Sequence, residues 1–198
     1  SIDIETTGLD CYQDEIIQIS ILDVDTGEVL LDSYVRPYFT EDWPEARRVN
    51  HITKEMVCNA PYFYELLPQL NQVLAQVKTI VGYNFAGFDS GFLTRYGASF
   101  NDETIVEDLS NIFAVIYGEF SPKHGDFKFK NHSTCADYFG YDWGEETAHN
   151  SLADCRATAF CYQMALEEKY QALYQENIHK RDCGFFDESY DACGDYNG

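Results

Sequence analysis

The first part of the chain is rich in apolar, β-branched residues, a composition that is typical of β-strands. Residues 16–24 (IIQISILDV) and 28–35 (EVLLDSYV) are two such runs, and residues 25–27 between them favour a turn. They predict a β-hairpin that follows a short first strand near the start of the chain. The hairpin ends at Pro37, because proline cannot donate a backbone hydrogen bond to a sheet.

The rest of the chain has apolar residues three and four positions apart, which is helical spacing. Helices are predicted over residues 50–57 (one short turn), 62–76, 86–96, 109–117, 134–139 and 151–174. Short strands at 79–84 and 103–108 separate them, and residues 123–132 are expected to form a loop. Strands interleaved with helices indicate an α/β fold, with a mixed β-sheet flanked by α-helices.

The periodicity is lost after about residue 177, where the chain becomes rich in Asp, Gly and Tyr. We therefore expect one domain over residues 1–176 and an acidic, flexible C-terminal tail over residues 177–198. Phe185 and Phe186 within this tail have two interpretations, docking onto a partner such as a polymerase, or simple disorder. Deleting residues 178–198 is expected to leave catalysis intact.

A formal net charge of −21 changes the range of possible partners. Nucleic-acid binders usually carry basic patches, so this surface argues against tight, nonspecific binding of duplexes. Metal ions held by carboxylates can still attract phosphates, because they reverse the local charge. Residues 120–132 form a locally basic, aromatic stretch in which Lys123, Lys128 and Lys130 either guide a phosphate backbone or belong to a solvated loop.

Seven cysteines without a Cys-x-x-Cys pair predict free thiols in a reducing compartment, and therefore a cytoplasmic protein. The chain has no run approaching the roughly 20 apolar residues of a membrane span, so we expect no membrane association. Because only two residues precede Asp3 in the expected first strand, and the first residue is Ser1, we expect residues upstream of this sequence.

Asp3 and Glu5 lie one residue apart on the first strand, immediately before a turn. Residues i and i+2 of a strand point to the same face, so the two carboxylates are aimed at one place. Their repulsion is costly unless a cation lies between them. Hard oxygen ligands at this spacing suit Mg²⁺ or Mn²⁺.

Two further acidic positions occupy comparable settings. Asp89 lies at a strand-to-helix junction, where ligand sites of α/β sheets gather, although a lone acid there also stabilises the helix dipole. His149 precedes the predicted long helix, and Asp154 in its first turns points back toward His149. A histidine beside such a carboxylate is a candidate general base, since the unperturbed imidazole titrates near neutrality.

The three patterns occur in order as Asp-x-Glu-Thr-Thr-Gly-Leu at 3–9, Asn-x-x-x-Phe-Asp at 84–89 and His-x-x-x-x-Asp at 149–154. This combination resembles the DnaQ-like, DEDDh-type 3′–5′ exonucleases of the ribonuclease H-like fold. Residues 34–37 and 50–57 also resemble segments of that family, and the match spans roughly residues 1–170.

The resemblance implies a metal-dependent hydrolase that removes nucleoside 5′-monophosphates from a 3′ end. Two Mg²⁺ or Mn²⁺ ions would be held by the four carboxylates Asp3, Glu5, Asp89 and Asp154. His149 would take a proton from the attacking water. The expected substrate is single-stranded DNA, in a proofreading or DNA-degrading role. Two alternatives are an enzyme that trims RNA ends and a catalytically silent binding module.

The resemblance also implies a set of substrate-binding residues: Thr6, Thr7, Gly8, Leu9, His51, Asn84 and Phe92. The turn after the first strand would present backbone and hydroxyl groups to the terminal nucleotide. Leu9 and Phe92 would wedge between bases or stack on them. For these two and for His51, ordinary core packing is an equally open interpretation, and Asn84 either braces its loop or contacts substrate.

Overall fold

In the computed structural model, which describes residues 1–145 and 148–186, strands and helices alternate along the chain. The strands are β1 (Ile2–Thr6), β2 (Ile16–Leu22), β3 (Val29–Tyr34), β4 (Thr79–Gly82), β5 (Ile105–Asp108), β6 (Phe120–Ser121) and β7 (Asp126–Phe127). The helices are α1 (Pro44–Asn50), α2 (Lys54–Val57), α3 (Phe63–Leu74), α4 (Asp89–Arg95), α5 (Leu109–Tyr117), α6 (His132–Phe139), α7 (Ser151–Ala165) and α8 (Glu168–Asp182).

Strands β1, β2 and β3 form an antiparallel sheet with β2, which is buried throughout, in the middle. The register pairs Asp3 with Ser20 and Glu5 with Gln18. Both acids therefore share one face of β1, as the spacing predicts, whereas the alternate positions Ile2, Ile4 and Thr6 are buried. An irregularity after Glu5 ends this regular pairing just before the following turn.

Strands β4 and β5 are parallel, and β4 contacts β1. The predicted α/β fold with helices flanking the sheet is confirmed. The strands are arranged as an antiparallel group and a parallel group rather than as one continuous ladder. The small hairpin of β6 and β7 extends into the predicted loop at 123–132.

The N-terminal end of α7 is fixed directly over the middle of β2. The hydroxyls of Ser151 and Ser20 are 2.6 Å apart, and the Cys155 thiol donates to the Ser20 carbonyl over 3.3 Å. The Ser151 N–H also donates to the Gln18 side chain. Small, buried residues on this face allow the helix to approach the sheet closely. This contact brings the beginning of α7 next to the acidic face of β1.

Two helix predictions are wrong in their extent. The predicted helix over 151–174 is two helices, since α7 ends at Ala165 and α8 begins at Glu168. The predicted helical turn over 50–57 is present as α2 but begins only at Lys54, because α1 ends at Asn50 and the chain turns at His51, a residue with a left-handed backbone (φ 58°). Apolar spacing continues through both breaks, and for this reason it did not locate them.

Residues 177–186 pack on the domain instead of beginning a loose tail. Helix α8 continues to Asp182, and the buried Asn177 side chain donates to the Val115 carbonyl over 2.8 Å. The Phe186 ring stacks on Phe120 with centroids 4.5 Å apart, so it is engaged within the chain itself. The remainder of the predicted tail, residues 187–198, lies outside the described residues.

The cysteines within the described residues (Cys11, Cys58, Cys135, Cys155, Cys161 and Cys183) are free thiols, as predicted. Cys193 lies outside the described residues. Within residues 1–145 and 148–186, no helix has the length and apolar character that a membrane crossing requires.

Candidate active site

A cleft of about 290 Å³ opens where β1, the β4–α4 loop and the beginnings of α6 and α7 meet. Its walls include all five residues that the sequence predicts to be catalytic: Asp3, Glu5, Asp89, His149 and Asp154. Residues separated by as many as 151 positions along the chain are thus brought together. The cleft lies at the carboxyl end of β4, where sites in α/β sheets are commonly found.

The two acids of β1 are strongly perturbed by their surroundings. Burial raises the pKa of Asp3 well above its usual range, and the charges of Asp89, Asp154 and Glu5 raise it further. Burial, together with the charge of Asp154, raises the pKa of Glu5 to about 8, although a hydrogen bond from Asn50 opposes the shift. Both carboxyls therefore hold protons more tightly than free acids do, because they are desolvated beside other acids.

Asp89 is the first residue of α4 and is buried. Its Oδ1 accepts a hydrogen bond from the Ile4 N–H over 3.1 Å, which ties α4 to β1 between the two acids of that strand. Burial raises the pKa of Asp89 despite the backbone hydrogen bonds that it accepts. A charge that only stabilised the helix dipole would need to stay ionised, whereas burial favours the protonated form of this carboxyl, so a role beyond the helix start is indicated.

The β4–α4 loop is fixed by Asp108, which sequence reasoning missed. The Asp108 carboxylate accepts hydrogen bonds from the N–H groups of Asn84 (2.9 Å) and Ala86 (3.2 Å). Asn84 has a left-handed backbone (φ 60°), and its Oδ1 lies 2.5 Å from where a Cβ on Gly87 would stand. The Asn84 side chain therefore lies against Gly87, at a position that also lines the cleft, and whether it braces the loop or contacts substrate stays open.

His149 and Asp154 are joined through the backbone. The His149 N–H donates to Asp154 Oδ2 over 2.8 Å, and a left-handed backbone at His149 (φ 69°) makes this turn possible. The His149 side chain is exposed, whereas Asp154 is buried. Glu5, His149 and Asp154 each offer a ligand atom within 4.8 Å of the others, so their arrangement suits a metal ion or a water beside one.

A second histidine contacts Asp154 from the other side. His132 Nδ1 lies 3.1 Å from Asp154 Oδ1, and His132 Nε2 lies 3.1 Å from the Thr158 hydroxyl. Asn50 is a further residue that sequence reasoning missed, and its side chain donates to the Thr6 carbonyl and reaches Glu5. Neither residue belongs to the three sequence patterns, and only the fold shows that they adjoin the site.

The threonines after β1 use their hydroxyls inside their own turn. Thr6 Oγ1 donates to the Gly8 carbonyl over 2.6 Å, and Thr7 Oγ1 accepts from the Glu15 N–H over 2.9 Å. A Cβ on Gly8 would stand 2.4 Å from the Asp14 carboxylate, so a larger residue there would have to displace the Asp14 side chain. Both hydroxyls are thus hydrogen-bonded within the turn. That the turn presents backbone and hydroxyl groups to the terminal nucleotide stays a prediction.

The apolar residues predicted to contact bases have contrasting surroundings. Leu9 is 86% exposed on the turn after β1, so it is free of the core. Phe92 has no exposed surface and packs in the main core, so a base contact by Phe92 is not compatible with this structure. Its neighbour Phe88 lines the cleft instead. His51 is exposed at the end of α1, one residue beyond the Asn50 that reaches the site.

Two of the lysines predicted to guide a phosphate backbone are paired within the protein. Lys128 and Lys130 both form ion pairs with Glu119, and Lys130 also lies 4.5 Å from the centroid of the Tyr117 ring. These two hydrogen bonds lower the pKa of Glu119 to about 2. Both lysines therefore belong to the local structure of the β6–β7 hairpin.

Comparisons with known proteins agree with this geometry. The family model RNase_T, described as Exonuclease, matches residues 1–162. DNA polymerase III PolC-type from Staphylococcus aureus is 28% identical over 191 residues, which cover 90% of this chain. The chain spans only 12% of the length of that relative.

Solved structures with the same fold are also exonucleases. Exonuclease I from E. coli, solved with an oligonucleotide, superposes with a TM-score of 0.69 at 18% identity, over 88% of this chain and 41% of that one. Exonuclease X in complex with 5′ overhanging duplex DNA superposes with a TM-score of 0.61 at 19% identity, over 89% of this chain and 97% of that one. The chain therefore belongs to the DnaQ-like exonuclease family, a family of metal-dependent 3′–5′ exonucleases with the ribonuclease H-like fold.

Proposed function

We propose that this chain hydrolyses the phosphodiester bonds of single-stranded DNA from the 3′ end and releases nucleoside 5′-monophosphates. The observation that supports this most strongly is the convergence of four carboxyls and a histidine on one cleft. Three of the carboxyls have a raised pKa because they are buried near one another. Such a cluster is stable in its ionised form only when cations neutralise it.

The residues fit two divalent ions of the Mg²⁺ or Mn²⁺ type, because carboxylate oxygens are the ligands that these ions prefer. Asp3, Glu5, Asp89 and Asp154 would hold them. When bound, such ions stabilise negative charge on a reacting phosphate and favour hydroxide over water. The same positive charge explains how a protein with a net charge of −21 can attract a nucleic-acid end.

His149 is the proposed general base. Its backbone is held by the hydrogen bond to Asp154, while its imidazole is exposed at the mouth of the cleft. An exposed imidazole near the carboxylates can accept a proton from the attacking water and pass it to solvent. Phe88 in the cleft wall and the exposed Leu9 are the apolar surfaces proposed to contact the terminal bases.

Single-stranded DNA is the preferred substrate in this proposal for two reasons. One relative is a DNA polymerase, and exonucleases of the same fold have been solved with 5′ overhanging duplex DNA and with a dA16 oligonucleotide. The strongly acidic surface disfavours the long basic contacts with which proteins hold duplexes. The polymerase relative further suggests a proofreading role beside a polymerase, which is therefore the proposed protein partner.

The test is a timed digestion of matched 5′-labelled single-stranded DNA, recessed duplex DNA and RNA, with Mg²⁺, Mn²⁺ or EDTA. We expect a ladder that shortens from the 3′ end, fastest on single-stranded DNA and absent with EDTA. Asp3→Asn should be inactive, whereas Asp102→Asn, the same change at an exposed turn, should match the wild type.

Faster digestion of RNA would replace the DNA proposal with RNA end trimming. If the folded protein bound the oligonucleotides but shortened none of them, the proposal of catalysis would fail and a binding module would take its place.

A further inference from the structure

The cleft contains a histidine for which the proposed reaction has no role. His132 is the first residue of α6, and its side chain is 17% exposed. Its Nδ1 contacts Asp154 Oδ1 and its Nε2 contacts the Thr158 hydroxyl, both over 3.1 Å. Asp154 and Thr158 lie one helical turn apart on α7, so His132 connects α6 to the turn of α7 that carries the metal-binding acid.

Its neighbours hold the ring of His132 in place. The Tyr83 hydroxyl donates to the Lys130 carbonyl over 2.8 Å, which fixes the backbone immediately before α6. The Tyr83 ring lies 4.7 Å from the His132 ring between centroids, and Trp143 meets the His132 ring edge-on at 6.1 Å. A side chain that is wedged between two aromatic rings has little rotamer freedom, so its hydrogen bonds are directional.

The hydrogen bonds of His132 are complementary when the proton lies on Nδ1. Nδ1–H then donates to the Asp154 carboxylate, and Nε2 accepts from the Thr158 hydroxyl. The second oxygen of Asp154 already accepts from the His149 N–H. Both oxygens of Asp154 are therefore held from opposite sides, by His132 on α6 and by the loop that precedes α7. This fixes the plane in which the remaining lone pairs of the carboxylate point.

We propose that His132 is a positioning residue that orients the Asp154 carboxylate for a divalent ion. This inference rests on the proposed function, because it assigns a metal to Asp154. Hydrogen-bonded partners of metal ligands commonly contribute 10–100-fold to metal affinity, and a fixed carboxylate avoids the entropic cost of ordering it when the ion binds. His132 touches neither substrate nor reacting atoms in this role.

Paired substitutions separate orientation from simple packing. In His132→Asn the side-chain amide stands near the position of Nδ1 and keeps a donor for Asp154. In His132→Gln the amide of the longer side chain stands near the position of Nε2 and can hydrogen-bond only to Thr158. His132→Leu removes both contacts while filling the space. His124→Asn, a change at an exposed histidine of the β6–β7 turn, is the matched control.

Each full-length variant is titrated with Mn²⁺ alone, and the free ion is quantified by electron paramagnetic resonance. The melting temperature of each variant is measured as well. We expect about 10–100-fold weaker Mn²⁺ binding for His132→Gln and His132→Leu, and binding within about threefold of wild type for His132→Asn and His124→Asn. Comparable melting temperatures would show that the variants are folded. If His132→Leu does not fold, the comparison of His132→Asn with His132→Gln alone tests the positioning role.

Equal binding by all variants, or equal losses in His132→Asn and His132→Gln, would overturn the positioning role. Absence of Mn²⁺ binding by the wild type would instead refute the proposed function itself, so the two failures are distinguishable.

Discussion

Two glutamates on either side of the turn after β1 differ in what surrounds them. Glu15 is 1% exposed, and its carboxylate accepts hydrogen bonds from the N–H groups of Tyr38 (2.6 Å), Phe39 (2.9 Å) and Thr40 (2.7 Å). Burial alone would raise its pKa, but these donors lower it. Glu5, ten residues earlier, has other acids as neighbours, and its pKa rises to about 8.

The difference shows which buried acids the protein neutralises itself. The backbone around residue 38 supplies the positive ends of three dipoles to Glu15, so its charge is part of the folded structure. At Glu5 and Asp3 the protein supplies mainly further negative charge. We therefore interpret Glu15, with its three backbone donors, as structural, and the cluster around Asp3 and Glu5 as a place for an external cation. Substitutions at Glu15 and in the acid cluster should therefore have different effects.

The largest effect is expected from Asp3→Asn. Removing one of the four carboxylates proposed to hold the ions should lower turnover at least about 10³-fold, since charge stabilisation of the reacting phosphate would be lost. The same change should raise the melting temperature of the metal-free protein at pH 7, because Asn is neutral without having to take up a proton at this buried position beside Asp89 and Asp154. Rate and melting curves with and without Mg²⁺ would check both. If the metal-free variant melted below the wild type, the acid cluster at Asp3 would not be destabilising, and the contrast with Glu15 would be wrong.

His149→Gln tests the exposed side of the cluster. Loss of a general base should lower turnover about 10²–10⁴-fold at neutral pH. Because the four carboxylates remain, Mn²⁺ affinity should be nearly unchanged. Single-turnover rates and an Mn²⁺ titration of the same preparation would check this. A parallel fall in rate and affinity would instead make His149 a metal ligand.

Glu15→Gln tests the buried carboxylate that backbone N–H groups stabilise. The Gln amide places N–H groups opposite backbone N–H groups, and one lost charge-assisted network of this kind costs about 2–3 kcal/mol of unfolding free energy. For a chain of this size that corresponds to a fall of roughly 5–10 °C in melting temperature. Exposed Glu103→Gln is the control. Turnover well below the melting temperature should remain close to wild type, and unchanged stability would refute the structural role.

The last prediction concerns the pH dependence of stability, which needs no change at the proposed reaction. Between its unfolded pKa of 4.5 and its folded value of about 8, Glu5 binds more protons in the folded state. The metal-free protein should therefore lose stability as pH rises from 5 to 8, and saturating Mg²⁺ should reduce this loss. Glu15 acts in the opposite sense, since its stabilisation is present above its unfolded pKa and is lost in more acidic solution.

Melting curves of wild type and Glu5→Gln at several pH values, with EDTA, would check the sign. The same slope in both proteins would assign the dependence to other groups.

Short-range patterns, together with the family resemblance, were sufficient to predict the five candidate residues that line the cleft, but not the residues that contact them. Asp3 and Glu5 are related by strand periodicity, and His149 and Asp154 by one helix start, so local geometry places each pair. Asp108, Asn50 and His132 act across 24, 45 and 22 positions of sequence, toward Asn84, Glu5 and Asp154. Contacts over such separations depend on how elements pack, which periodicity does not encode.

The same limit explains the errors in the fold. Helix breaks at Leu166 and His51 depend on tertiary packing, and so does the fate of the C-terminal segment. Asn177 and Phe186 lie in polar, acidic sequence, yet both are engaged by α5 and the β6–β7 hairpin. Phe92 has an aromatic side chain that could stack on a base, but this side chain is buried in the core of the domain.

The most direct test of the central claim is calorimetric titration of the metal-free protein with Mn²⁺ at pH 7, in two buffers with different ionisation enthalpies. We expect saturation near two ions per chain, with net release of protons, because the carboxyls of Asp3, Glu5 and Asp89 hold protons that the ions displace. Asp3→Asn should bind fewer ions and release fewer protons. No saturable binding by the wild type, or identical isotherms for the two proteins, would contradict the claim that this cluster is a cation site.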